Sequence, residues 1–199
     1  EELQGLEAPT LLAPTGSGAA DAAPERILVE LDDDLTRGLA ELARARGVTL
    51  TGVLHTAWGL LLGRLTGRRD VVFGCPVSGR PVKVPDVGTM VGQLGESIAI
   101  RVRATPEQPV GEVLADVHRR GLALSDHHHL GLVEITRAAG LGELFDTMVV
   151  TENFPLSDRS VQPVEPGLDL TGVDITDATH YPLTVVVLQA DDVRFGLCV

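Results

Sequence analysis

Aromatic residues are scarce, 3% of 199 residues with one Trp and one Tyr, so Leu, Val, Ile and Ala must fill any core. Long apolar runs are absent. Leu60-Leu61-Leu62 is cut by Gly63 and Arg64, well short of the ~18 residues a membrane span needs. Two cysteines, Cys75 and Cys198, are too few and too distant for a disulfide framework, so reduced, strand-buried thiols are expected. Lys and Arg number 16 against 28 Asp and Glu, a net charge of -12, which argues against binding a nucleic-acid backbone. The start, Glu-Glu-Leu-Gln, has no basic-then-apolar signal pattern, so the cytoplasm is the expected compartment. Neither a Gly-x-Ser-x-Gly elbow nor a phosphate-binding Gly-Lys-Ser/Thr loop occurs.

What is present suits one domain or one large lobe: 21.0 kDa, 44% hydrophobic and 22% charged. Residues 8–25 carry Pro9, Pro14, Gly16, Ser17, Gly18 and Pro24 among alanines and read as a linker or loop. Alternation over Arg26–Leu31 predicts a strand. Asp32 to Asp34 then offer N-caps for a helix with Leu35, Leu39 and Leu42 on one face, stopped by Gly47. A second helix, Thr51–Leu65, ends at Gly67; its broad stripe of Leu54, Ala57, Trp58, Leu61, Leu62 and Leu65 is expected to lie buried on a sheet. Helices are also predicted over Val110–Leu124, with Val113, Leu114, Val117, Gly121 and Leu124 inward, and over Leu132–Ala139, ended by Gly140. Further strands are expected at Val71–Val77, up to Arg103, at Phe145–Thr151, Leu183–Gln189 and Val193–Val199, with a hairpin turn at Ala190-Asp191-Asp192. Interleaved helices and strands make the class α/β, a mixed sheet with at least one antiparallel pair.

A series of segments resembles landmarks of nonribosomal peptide synthetase condensation domains, in the expected order. These are Gly47-Val48-Thr49-Leu50 with Ala57-Trp58, Asp70-Val71-Val72-Phe73-Gly74, Val77-Ser78-Gly79-Arg80-Pro81 and Met90-Val91-Gly92 to Arg101. Asp126-His127-His128-His129, Leu144-Phe145-Asp146, Glu152-Asn153-Phe154-Pro155 and His180-Tyr181-Pro182-Leu183 follow. The catalytic His-His-x-x-x-Asp-Gly motif of that family is missing, since His128-His129 is followed by Leu130-Gly131-Leu132-Val133-Glu134. The resemblance implies the C-terminal lobe of a two-lobe, chloramphenicol-acetyltransferase-like fold. Residues 1–25 would be the inter-lobe linker and 26–199 the lobe, truncated before its final strand and helix.

That resemblance implies an acyl or peptidyl transferase that forms amide bonds between carrier-bound thioesters. This chain would supply channel wall and acceptor-side carrier docking, with no directly bound cofactor and substrates carried on phosphopantetheine. Implied partners are the N-terminal lobe, donor and acceptor peptidyl carrier proteins and an adjacent adenylation domain, with no nucleic acid and no membrane. Gly92, Glu96 and Ser97 would line the channel and Arg80 would anchor a floor loop; no catalytic or metal-binding residue is assigned. Where the family carries Phe, Asn and Thr, this chain has Leu94, Glu96 and Ser97. Alone, the chain is expected to be inactive. A non-catalytic module recruiting a carrier or enzyme, and a stand-alone acyltransferase of the same superfamily, remain alternatives.

Three bland readings stand beside these. The His127–His129 run reads as a solvated helix-end cluster rather than a catalytic or metal site, because adjacent residues point apart. Arg80 could clamp a phosphate or carboxylate, but a turn paired with an acid such as Asp86 is the simpler role. Asp169, Asp174 and Asp177 lack calcium-loop spacing. The Asp- and Thr-rich segment Leu168 to His180 is expected to project as a bridge toward the other lobe.

Overall fold

The computed structural model describes residues 2–13, 25–78, 84–92, 94–152, 181–189 and 193–198. Strand β1 (Arg26–Glu30) leads through Leu31 and Asp32 into helix α1 (Asp33–Arg46), then helix α2 (Leu50–Thr66). Strands β2 (Asp70–Val77) and β3 (Glu96–Arg103) follow, then helices α3 (Val110–Leu124) and α4 (Leu132–Ala139). Strands β4 (Thr147–Glu152), β5 (Leu183–Gln189) and β6 (Val193–Cys198) complete the set. Arg80, Leu168 to His180 with its three aspartates, and the turn at residues 190–192 lie outside the described residues.

The helix ends obey local chemistry. Asp32 accepts a hydrogen bond from the Leu35 amide at 2.7 Å, and Thr49 accepts from Gly52 at 3.0 Å, each capping an orphan N–H. Gly47 and Gly67 close α1 and α2 in the left-handed conformation, where a Cβ would be strained.

The strands form one six-stranded mixed sheet in the order β1-β6-β5-β4-β2-β3. Strands β2, β4 and β5 run parallel to one another, while β3, β6 and β1 join antiparallel. One face packs Val71, Phe73, Ile98, Ile100 and Val102 against Leu54, Leu62, Val113 and Val117 of α2 and α3. The other face buries Val72, Ala99, Leu144 and Phe145 with Leu6, against Leu132 and Ile135 of α4. A third cluster, Ala43, Val53 and Leu114, joins α1 to its neighbours.

Two expectations are corrected by this packing. Helix α2 bears out only part of its expected stripe: Leu54 and Leu62 are buried and Trp58 packs on the core, but Ala57, Leu61 and Leu65 are exposed, and Gly52, Val53, His55, Thr56 and Gly59 turn inward instead. The small residues decide this. A Cβ on Gly59 would fall 2.4 Å from Val102 Cγ2, so only a bare backbone can approach the sheet so closely. On α1, Leu35 and Leu42 are exposed and Ala43 is the buried residue.

The proline-containing start is also packed where it is described. Thr10 is fully buried, its amide donates to Leu144 O at 2.9 Å, and it bridges Phe145 in parallel. Its hydroxyl accepts from the Val72 amide at 2.8 Å. Because β2 meets β4 in register only at Gly74 and Met148, Thr10 fills the gap between these strands nearer their starts. Asp146 accepts from the amides of Leu12 and Ala13, both at 2.7 Å. Hydrogen bonds to its backbone hold this segment together with the burial of Leu6.

Candidate functional site

The C-terminal ends of the parallel strands β2, β4 and β5 gather at one end of the sheet, the end where open α/β sheets place ligands. The antiparallel register sets Glu96 across from Val77 and Ser97 across from Pro76, so both sit at that end. Gly92 and Glu96 are exposed and Ser97 is half-buried. As strand neighbours, Glu96 and Ser97 leave on opposite faces. Ser97 shares its face with Ala99 and Arg101, and Glu96 shares its own with Ile98 and Ile100. Glu96 and Ser97 therefore share one end of the sheet but do not converge on a point.

Glu96 has a second neighbour. Its Oε2 lies 3.6 Å from where a Cβ on Gly131 would stand, and Gly131 is the N-cap of α4, which has no side-chain cap of its own. A carboxylate there complements the helix dipole. Below it, a cleft of about 980 Å³ runs between β3, the end of α3, α4 and residues 2–6. Leu6, Ile98, Leu124 and Ile135 supply apolar walls, with Glu2, His127 and Glu134 as titratable groups.

Those groups do not make an acid–base or nucleophilic device. Glu2 is taken by Arg120, whose Nη1 donates to it at 2.8 Å. His127 and His129 are exposed, with ring centroids 6.3 Å apart. His128 is half-buried, and burial lowers its pKa. His127 and His129 match the solvated helix-end cluster expected from the sequence, while His128, its Nδ1 buried, does not. Burial also pushes the Cys75 thiol up to about 12, leaving it inert at neutral pH. His55 is driven down to about 4 by burial, and its Nε2 has no hydrogen-bond partner. Among the described residues, no cluster of His, Cys, Asp or Glu could hold a metal ion. Likewise, no helix is long and apolar enough to cross a membrane.

Sequence reasoning passed over the residues that organise the opposite end of β3. Arg101, buried, grips Asp70 with two nitrogens and the carbonyls of Glu2 and Gln4 with a third. Arg68 donates to the carbonyls of Ala8 and Pro9. The available signal was a register argument: Asp70 opens one strand and Arg101 and Arg103 close the next, so antiparallel pairing brings opposite charges together.

The family model for the condensation domain matches residues 1–197. The chain is 35% identical over 205 residues to chondramide synthase of Chondromyces crocatus, covering 98% of this chain and 5% of that protein. With tyrocidine synthase 2 of Brevibacillus parabrevis it shares 33% identity over 198 residues, 97% of this chain and 6% of that one. The first condensation domain of the calcium-dependent antibiotic synthetase superposes with a TM-score of 0.71 at 22% identity, over 96% of this chain and 41% of that chain. The condensation domain of the monacolin K polyketide synthase gives 0.72 at 17% identity, over 96% and 46%. The chain thus spans under half of these solved domains and a small fraction of the synthases. Its sheet, its helices and the match along residues 1–197 lead to one assignment: this chain belongs to the condensation-domain family.

Proposed function

We propose that the chain is the C-terminal lobe of a nonribosomal peptide synthetase condensation domain with a chloramphenicol-acetyltransferase-like, two-lobe fold. Residues 1–25 carry the connection from the other lobe, and residues 26–199 form the wall of the channel and the docking side for the acceptor carrier. Donor and acceptor arrive as phosphopantetheine thioesters on peptidyl carrier proteins, beside an adenylation domain, in the cytoplasm. The observation that carries this reading is the extent of the superposition: 96% of this chain accounts for 41% of a condensation-domain chain, a share suited to one of two lobes.

In this role the lobe works by placement. Amide formation needs the acceptor amine held against the donor thioester, a proximity effect that can supply several kcal/mol of barrier lowering. Glu96, Ser97 and Gly92 border the passage, and Arg80 anchors the floor loop. The histidine that takes the amine proton or positions the amine belongs to the partner lobe; such acid–base help is worth ~10²–10⁴-fold.

The test is reconstitution. The chain alone, given two carrier-bound substrates, should form no amide product; joined to a lobe bearing His-His-x-x-x-Asp-Gly, it should. Product from the isolated chain, or none from the joined domain when each part is folded, would overturn the proposal.

A further inference from the structure

Residues 2–13 cross this lobe in two stretches that are fastened by different means. The first, residues 2–6, is a turn closed by the Leu6 amide on Leu3 O at 3.0 Å, with Gly5 in the left-handed region. Arg101 donates to Glu2 O and Gln4 O, and Arg120 donates to the Glu2 carboxylate at 2.8 Å. The second, residues 8–13, is fastened through Arg68, Thr10 and Asp146. Exposed Glu7 separates them.

Releasing the two stretches carries unequal penalties. Each arginine on the turn has another partner within the lobe. Arg101 keeps both oxygens of Asp70, at 2.7 and 2.6 Å, and Arg120 keeps Asp116 at 2.6 Å. If the turn lifts, no buried charge is stranded, and water can replace the lost contacts with two carbonyls and a half-buried carboxylate. Residues 8–13 have no such escape. Their departure would leave the buried Val72 amide without the Thr10 hydroxyl. It would also strip two amides from Oδ2 of Asp146, a residue only 4% exposed whose Oδ1 already has no partner. A buried carboxylate left bare is far costlier than a carbonyl returned to water.

The turn is also one wall of the cleft of about 980 Å³, facing α4 and the end of α3. Ala99, on the same face of β3 as Arg101, lines that cleft, is 5% exposed and shares a buried cluster with Leu6. We infer that residues 2–6 are a releasable strap that closes the cleft over β3, pivoting at Glu7 while residues 8–13 stay fastened. On the two-lobe reading, Glu2 is where the connection from the other lobe arrives, so movement of that lobe draws on the releasable stretch first. The strap itself belongs to this chain and is tested without that reading.

Native-state hydrogen exchange by NMR separates the two stretches. The Leu6 amide should exchange through a local opening, with protection about tenfold or more below that of the Thr10 and Val72 amides. Glu2→Gln removes the charged link and leaves Arg120 on Asp116. It should speed Leu6 exchange about two- to fivefold and leave Thr10 and Val72 unchanged. Added salt should act in the same direction on the unmodified chain, raising Leu6 exchange relative to Thr10. Ala99→Cys, in a Cys198→Ser background, reads the cleft. Its labelling by a thiol reagent should rise by the same factor when Glu2→Gln is added, while buried Cys75 stays unlabelled. Equal protection at Leu6, Thr10 and Val72, equal acceleration of all three by Glu2→Gln, or labelling of Ala99→Cys that ignores the strap variant would overturn the inference.

Discussion

Arg101 and Asp70 form a two-pronged ion pair, with Nε on Oδ1 at 2.7 Å and Nη2 on Oδ2 at 2.6 Å. The remaining guanidinium nitrogen, Nη1, donates to Glu2 O at 3.0 Å and Gln4 O at 2.9 Å. One buried cation thus ties β2 to β3 and fastens the start of the chain to both. Arg101→Met should cost about 2 kcal/mol in urea unfolding, below the usual range for breaking a buried pair because Asp70 keeps partial access to water. Arg101→Lys should recover little, since an ammonium cannot reproduce the fork. Full stability in Arg101→Lys would show that charge alone matters here.

Gly59→Ala should destabilise the lobe despite Ala's better helix propensity. The new methyl meets not only Val102 Cγ2 but Val102 Cβ at 2.5 Å, so rotating the valine gives no relief. Overpacking of about 1–3 kcal/mol outweighs the ~1 kcal/mol of propensity. Adding Val102→Ala should return part of the loss, and a double-mutant cycle measures that coupling.

Thr10→Val keeps the shape and removes the acceptor for the Val72 amide. A buried N–H left without a partner costs about 1–3 kcal/mol. The expected readout is local: faster hydrogen exchange at Val72 than at Phe73, seen by NMR. Unchanged exchange at Val72 would mean another acceptor replaces the hydroxyl.

His55 should make the lobe acid-labile. Burial holds its pKa near 4, below the ordinary 6.5, so the unfolded chain binds a proton more readily than the folded one. Stability from this residue is full above about pH 6.5, declines as pH falls toward 4, and is lost below it. The shift corresponds to roughly 3 kcal/mol. His55→Leu should flatten the stability profile between pH 6.5 and 4, at little cost at pH 7 because Nε2 forms no hydrogen bond there. Equal slopes for both proteins in pH-dependent urea melts would exclude His55 as the cause.

Glu96 can be separated into its two settings. Glu96→Gln in a complete domain should weaken α4 by a few tenths of a kcal/mol if the carboxylate serves the helix dipole. A changed KM for the acceptor with unchanged folding would instead mark contact with substrate.

The helices and strands were largely legible because their signals are local. The spans of α3, α4 and β5 follow from apolar periodicity and glycine stops, and agree with the structure. The inward face of α2 was not legible. Leucines surround that helix, so periodicity offers no single stripe, and the choice fell to Gly52 and Gly59, whose value is an absence of atoms. Residues 8–13 look solvated by composition, yet their partners Arg68, Val72 and Asp146 lie 59 to 134 residues away in sequence.

Glu96 and Ser97 were proposed by resemblance alone, and their placement beside Val77 and Pro76 came from the strand's register.

Local propensity, capping chemistry and motif order established the α/β class and the family of this chain, because each depends on residues near one another in sequence. The strand order, the buried face of α2 and the packing of residues 2–13 were settled only in three dimensions. Each of these depends on which distant backbone groups meet, and a linear pattern carries no record of that geometry.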